Sequence, residues 1–135
     1  MVTLTFLGSG NAFCPSGRMH SLVLIDDGLL VDAPPTVIPQ MRKYGICPSS
    51  ITDLFITHWH GDHTFGVPFL LLERKWISDR AGNQNITIHS LAGGEEKLTH
   101  LCELAYPESL GDLQWVSHNH MQGEAQGWKF ERFEV

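Results

Sequence analysis

The chain has 135 residues, 42% of them hydrophobic and 18% charged, which allows one domain with its own core and argues against wholesale disorder. Its net charge of −6, with histidine neutral, gives no general attraction to a phosphate backbone, and lysine and arginine never run beyond pairs such as Arg74-Lys75. No apolar run approaches the roughly 18 residues of a membrane span, and the start lacks a basic, cleavable leader.

Residues 2–7 are apolar and β-prone and end in the loop signal Gly8-Ser9-Gly10-Asn11. Two further β-prone runs, 21–25 and 29–31, flank Asp26-Asp27-Gly28, a hairpin signature because such turn residues tolerate positive φ. Pro34-Pro35 stops that strand. Val37, Ile38, Met41 and Tyr44 then recur at helical spacing over 36–44, with Pro39 in the first turn and Gly45 as the stop. Leu54-Phe55-Ile56 is continuously apolar, as a strand buried on both faces would be. Val67, Leu70, Leu71 and Arg74 share one side of a predicted helix, and the apolar residues 69–72 are expected to fill the core. A loop over 79–84 leads to a strand at 86–89. The helix predicted over 95–106 places Leu98, Leu101, Cys102 and Ala105 on one face and two glutamates at its positive end. Residues 113–117 read as a strand, and 127–135 alternate like a half-buried one.

Strands and helices alternating after a hairpin indicate an α/β layered architecture with a mixed sheet, as a single domain over 1–135. The cysteines, Cys14, Cys47 and Cys102, are odd in number and far apart, so buried, inert thiols in a reducing cytosol are expected.

Eight histidines are many for this length, and three fall in His58-Trp59-His60-Gly61-Asp62-His63. Zinc-like ions take imidazole nitrogens and carboxylate oxygens. In an extended or tightly looped segment His58 and His60, two apart, point the same way and can chelate one ion, while Asp62 and His63 can face a second beside it. The strand ahead delivers this loop to the C-terminal edge of the sheet, where α/β proteins bind ligands, and Gly61 lets the backbone turn. Surface histidines are the bland alternative. Four potential ligands in six residues, at the mouth of a buried strand, argue against it, and the spacing does not fit a helical H-E-x-x-H site.

Thr57 to His63, arriving after Leu54-Phe55-Ile56, resembles the signature loop of the metallo-β-lactamase superfamily. Thr5-Phe6-Leu7-Gly8-Ser9-Gly10-Asn11-Ala12 resembles the first strand and glycine loop of its ribonuclease Z-like branch, as do the hairpin of 21–32, ending in Asp32, and Gly66-Val67-Pro68-Phe69-Leu70-Leu71. The resemblance implies a metallo-β-lactamase-like αββα sandwich, of which this chain holds the N-terminal half. It implies a two-metal site of zinc, with manganese or iron as alternatives: His58 and His60 on the first ion, Asp62 and His63 on the second. Asp62 would also be the catalytic group that orients or deprotonates the attacking water. Asp32 would support the loop from behind or serve as a turn residue.

The family's downstream ligands, two histidines and an aspartate, have no convincing match. His89 reads as structural and His100 as exposed. His118 and His120 have chelating spacing but precede the last strand, whereas the family's ligand follows it. The chain alone is therefore expected to be inactive. The leading function is a metal-dependent hydrolase acting on a phosphodiester, either RNA or a small nucleotide. The alternatives are a thioester or lactam hydrolase of the same superfamily and a non-catalytic metal-binding or interaction module. Trp76, Trp115 and Trp128 are expected in packing, and Trp59 at the border of the cleft. Arg18-Met19-His20 form a turn or reach a substrate phosphate. A homodimer is expected if the sheet is left uncovered, with no membrane partner and a cytoplasmic setting.

Overall fold

The computed structural model describes residues 1–110, 114–117 and 121–133. Six strands form one sheet in chain order: β1 (Leu4–Gly8), β2 (Leu22–Ile25), β3 (Leu29–Val31), β4 (Asp53–Phe55), β5 (Thr87–Ser90) and β6 (Gln114–Ser117). The first three are antiparallel and β3 to β6 are parallel. The β2–β3 turn opens on Asp26 at a φ of 50°, and its carboxylate accepts the N–H of Thr3, so the turn also anchors the entry to β1. Parallel neighbours need helical crossovers. These are α1 (Val37–Lys43), α2 (Gly61–Thr64) with α3 (Val67–Glu73), and α4 (Gly94–Ala105). Helix α3 packs between α1 and α4 and runs on as a π-turn over Arg74–Ser78.

The register explains which face is core. Leu24, Leu30, Leu54 and Ile88 lie side by side on adjacent strands and are all buried beneath the helices, with Val37, Met41, Leu70 and Leu98. On the opposite face Val31, Phe55 and His89 are in register. The Phe55 and His89 rings stack at 4.3 Å and 3°. A separate hairpin, β7 (Gln122–Ala125) and β8 (Trp128–Glu131), covers part of this face: Phe130 meets Phe55 edge-on at 4.9 Å, and Gln126 hydrogen-bonds Thr52. Near β1 the face is open, with Leu4 54% and Phe6 63% exposed. The architecture is thus the expected α/β layering: one helical layer, one mixed sheet, and a partly covered second face. Among the described residues no helix is long and apolar enough to cross a membrane.

Several expectations are corrected. The strand expected over 127–135 is the second arm of a hairpin, because Gln126 and Gly127 both take positive φ, 52° and 77°, and turn the chain. Phe69 does not fill the core; α3 turns Val67, Leu70 and Leu71 inward and leaves Phe69 46% exposed. Cys102 is buried, but Cys47 is exposed, and its hydrogen bond with Ser49 pulls its thiol below the ordinary range. Trp76 is 47% exposed on the helical side, not packed away.

Arg74 shows why the helix pattern included a cation on its inner side. It is buried, and its guanidinium donates to the carbonyls of Pro48 at 2.6 Å, Ile51 at 2.8 Å and Gln84 at 2.9 Å. These carbonyls belong to the segments leading into β4 and β5. Desolvation lowers the arginine's pKa, while the nearby Asp79 opposes that shift. Arg74→Met should leave three carbonyls without this donor and cost about 2–4 kcal/mol in unfolding free energy. A urea titration checks this, and an unchanged midpoint would refute it.

Candidate metal loop

The candidate site starts at the end of β3. Asp32 is buried and sits in the left-handed region at a φ of 66°, which few residues other than glycine, asparagine and aspartate accept. Its N–H donates to Phe55 O at 2.7 Å, tying the β3 exit to β4. Its carboxylate faces the metal loop. One oxygen accepts the Thr57 N–H at 2.8 Å, the Thr57 hydroxyl lies 2.8 Å from the other, and that second oxygen also accepts from His63 Nδ1 at 2.7 Å.

That arrangement dictates how two of the histidines present themselves. A carboxylate only accepts, so His63 carries its proton on Nδ1 and turns Nε2 outward. With the Thr57 hydroxyl donating to Asp32, the 3.0 Å contact between Thr57 Oγ1 and His58 Nδ1 is a bond donated by His58, which leaves the His58 Nε2 free, whereas the His63 Nε2 faces the Asp62 carboxylate. Asp32 is therefore the supporting residue behind the loop, and its turn geometry serves the same end.

The loop backbone is stapled to the same strand exit. His63 O accepts from Ala33 N at 2.8 Å, and Ala33 O accepts from Gly66 N at 2.8 Å. A side chain at Gly66 would place its Cβ 1.9 Å from Pro34 O, so only glycine permits this approach. Downstream, His60 caps α2, its carbonyl accepting from His63 N and from the hydroxyl of buried Thr64, both at 3.0 Å. The segment expected to be extended is thus extended only to His60. Asp62 and His63 ride on a single helical turn.

This path brings the candidate residues together. The His58 ring lies 4.7 Å from that of His60 and 4.0 Å from that of His63, and Asp62 Oδ2 is 3.3 Å from His63 Nε2. Burial lowers the pKa of His58, neighbouring His63 and His60 lower it further, and Asp32 and Asp62 counter them. An imidazole held neutral is the form that ligates metals. Among the described residues no three donors are arranged to grip one ion. Their chemistry, three imidazoles and a carboxylate within contact of one another, nevertheless fits a zinc-like cation.

Other candidates fall away from this cluster. His89 is buried and pairs with Asp53 at 2.7 Å, the structural role expected of it. His100 is exposed on α4. Trp59 does not border the cleft; it packs against the core beneath Lys97, which lies 4.9 Å from its ring. His20 contacts Thr36 at 3.3 Å and bridges to Gly10, so the 18–20 segment closes the glycine loop. His118 and His120 lie outside the described residues. The sequence reading missed Arg132, which reaches the loop from β8 and borders a cleft with Thr57 and His58. Its only signal was a cation within an alternating strand pattern.

Comparison with known proteins bears on this arrangement. Residues 2–98 match the family described as "Anti-Pycsar protein Apyc1". The chain is 39% identical over 114 residues to ribonuclease Z of Aeropyrum pernix, covering 82% of this chain and 36% of that protein. It is 32% identical over 132 residues to ribonuclease Z of Pyrobaculum aerophilum, covering 95% of this chain and 45% of that one. The crystal structure of human tRNase Z, short form, superimposes with a TM-score of 0.69 at 34% identity, covering 87% of this chain and 45% of that chain. The chain thus spans less than half the length of these relatives. With the histidine-rich loop and its Asp32 support in place, the chain belongs to the Apyc1 family, in the ribonuclease Z-like branch of the metallo-β-lactamase superfamily.

Proposed function

We propose that this chain provides the metal loop of a metal-dependent phosphodiesterase. The observation that carries the reading is the Asp32 carboxylate, which binds His63 through Nδ1 and, through the Thr57 hydroxyl, His58 through Nδ1, so that one buried group holds both rings of the loop. Outer hydrogen bonds that fix the tautomer are what metal-ligating histidines need. The similarity to proteins named ribonuclease Z favours a phosphodiester over a thioester or lactam.

In this reading His58, His60, Asp62 and His63 hold the ions, zinc first and manganese or iron as alternatives. The bound cations lower the pKa of water and neutralise charge on phosphate oxygens. Asp62 has the catalytic role: its Oδ2 orients the attacking water and takes its proton. Asp32 is a positioning residue and touches no substrate. The net charge of −6 and the absence of a Lys/Arg run in this sequence support a small nucleotide over a long RNA. A cytoplasmic setting agrees with the three separated cysteines. We also propose a homodimer, supported by the open apolar face around Leu4 and Phe6.

Four outcomes follow. Zinc titration by calorimetry should show binding that His60→Ala abolishes, and Asp32→Asn should weaken it by roughly 10- to 100-fold; equal affinity in all three proteins would refute the assignment. Four donors are few for two ions, so this chain with added zinc or manganese should show little turnover of a phosphodiester. A longer protein containing it should cleave the phosphodiester in preference to a thioester or a lactam; ordinary turnover by this chain alone, or a preference for the thioester, would overturn the reading. Sedimentation equilibrium should give a dimer that Phe6→Lys dissociates, and a monomeric wild type would remove the dimer proposal.

A further inference from the structure

In the stretch His58-Trp59-His60 the middle side chain goes a different way from its neighbours. The His58 and His60 rings meet each other, with centroids 4.7 Å apart. The Trp59 ring packs against the hydrophobic core, and the Lys97 ammonium of α4 lies 4.9 Å from its centroid. His60 is extended, at a φ of −62° and a ψ of 146°, before the chain turns into α2. Successive side chains of extended backbone point to opposite sides, so a ring seated on one side holds its two neighbours on the other.

The junction of β5 and α4 builds that seat. Gly94 is buried at the start of α4, and a Cβ there would lie 1.9 Å from Ser90 Oγ and 3.1 Å from Trp59 Cζ2. Ser90 is itself buried at the end of β5. Lys97, three residues beyond Gly94, stands on the same side of the helix and is exposed, so its ammonium stays hydrated while it lies over the ring. The Asp32 network reaches Thr57, His58 and His63. The direction of His60 is left to the backbone that carries it. Of its two neighbours Gly61 has no side chain, and Trp59 has a fixed seat.

We propose that Trp59 is a positioning residue for the histidine pair: seated on α4 and held there by Lys97, it keeps the His60 ring beside that of His58, preorganised for a cation. This rests on the metal-loop reading above. Neither Trp59 nor Lys97 is a ligand in this account. A loop released from its seat visits other conformations, and its affinity falls by the fraction of time it spends in the competent one.

The whole chain is titrated with zinc by calorimetry, at a temperature where circular dichroism shows each variant folded. Zinc should bind Trp59→Leu roughly tenfold or more weakly than the wild type, and Trp59→Phe, whose ring can still occupy the seat, with a smaller loss. Lys97→Met should lose roughly two- to fivefold, and Lys97→Arg should restore the affinity, because a guanidinium also stacks on aromatic faces. Leu101→Ala truncates another α4 side chain packed against the core, so it should lower the urea midpoint and leave zinc affinity unchanged. With cobalt as the probe, the visible absorption bands, which report ligand geometry, should change in Trp59→Leu and not in Leu101→Ala. Equal affinity and spectrum in the wild type and Trp59→Leu, or an equal loss in Leu101→Ala, would overturn the proposal and leave the metal-loop reading standing. If Trp59→Leu does not fold, Lys97→Met at its exposed position decides, and wild-type affinity there overturns the proposal. A wild type that binds no zinc overturns both.

Discussion

The candidate site hangs from the Asp32 carboxylate. A short acceptor at the end of β3 gathers the Thr57 backbone, the Thr57 hydroxyl and the His63 ring, and it does so from a left-handed backbone position. The conformation points the side chain sideways into the neighbouring loop instead of onward along the strand. Such strain persists where surrounding bonds enforce it, and the Asp32 N–H bond to Phe55 O and the Ala33 bond to His63 O do so here. Strand order supplies the rest, because β3 and β4 are adjacent and parallel, so their ends emerge at the same edge.

The clustering of the loop histidines, the hairpin of β2 and β3, and helices α1, α3 and α4 were all legible in the sequence, since each has a dense local signal. Histidine clustering is local, and helical periodicity survives without knowledge of the fold. The features that escaped depend on partners remote in sequence. Residues 122–125, Gln-Gly-Glu-Ala, have little β propensity and become β7 only by pairing with β8. The inward Arg74 reads as a surface cation until Pro48, Ile51 and Gln84 are placed around it. Trp59, between two candidate ligands, was expected at the cleft. The sharp turn into α2 instead sends it toward α4, where Gly94 makes room for its ring.

The two faces of the sheet differ in kind. The helical face is a closed apolar core, with leucines and isoleucines aligned across four strands. The other face mixes aromatic rings with a buried Asp53–His89 pair and is only partly covered by the small hairpin. Its rings offer flat, rigid area, and Phe130 of the hairpin packs edge-on against Phe55 across it. The hairpin therefore does more than cover the sheet. It sets the depth of the cleft beside the loop.

Strand β4 is three residues long, and both of its ends are held by groups described above: Arg74 grips Ile51 just ahead of it, and Asp32 grips Thr57 just beyond it. Three extended residues cover about 10 Å and have little slack. Movement of the Arg74 end is thus passed to the histidines almost undiminished, like a displacement along a taut rod. Softening at the far edge of the sheet and loosening of the histidine cluster are then coupled through that strand. In a protein built this way the arrangement of the histidine-rich loop depends on that short strand keeping its place.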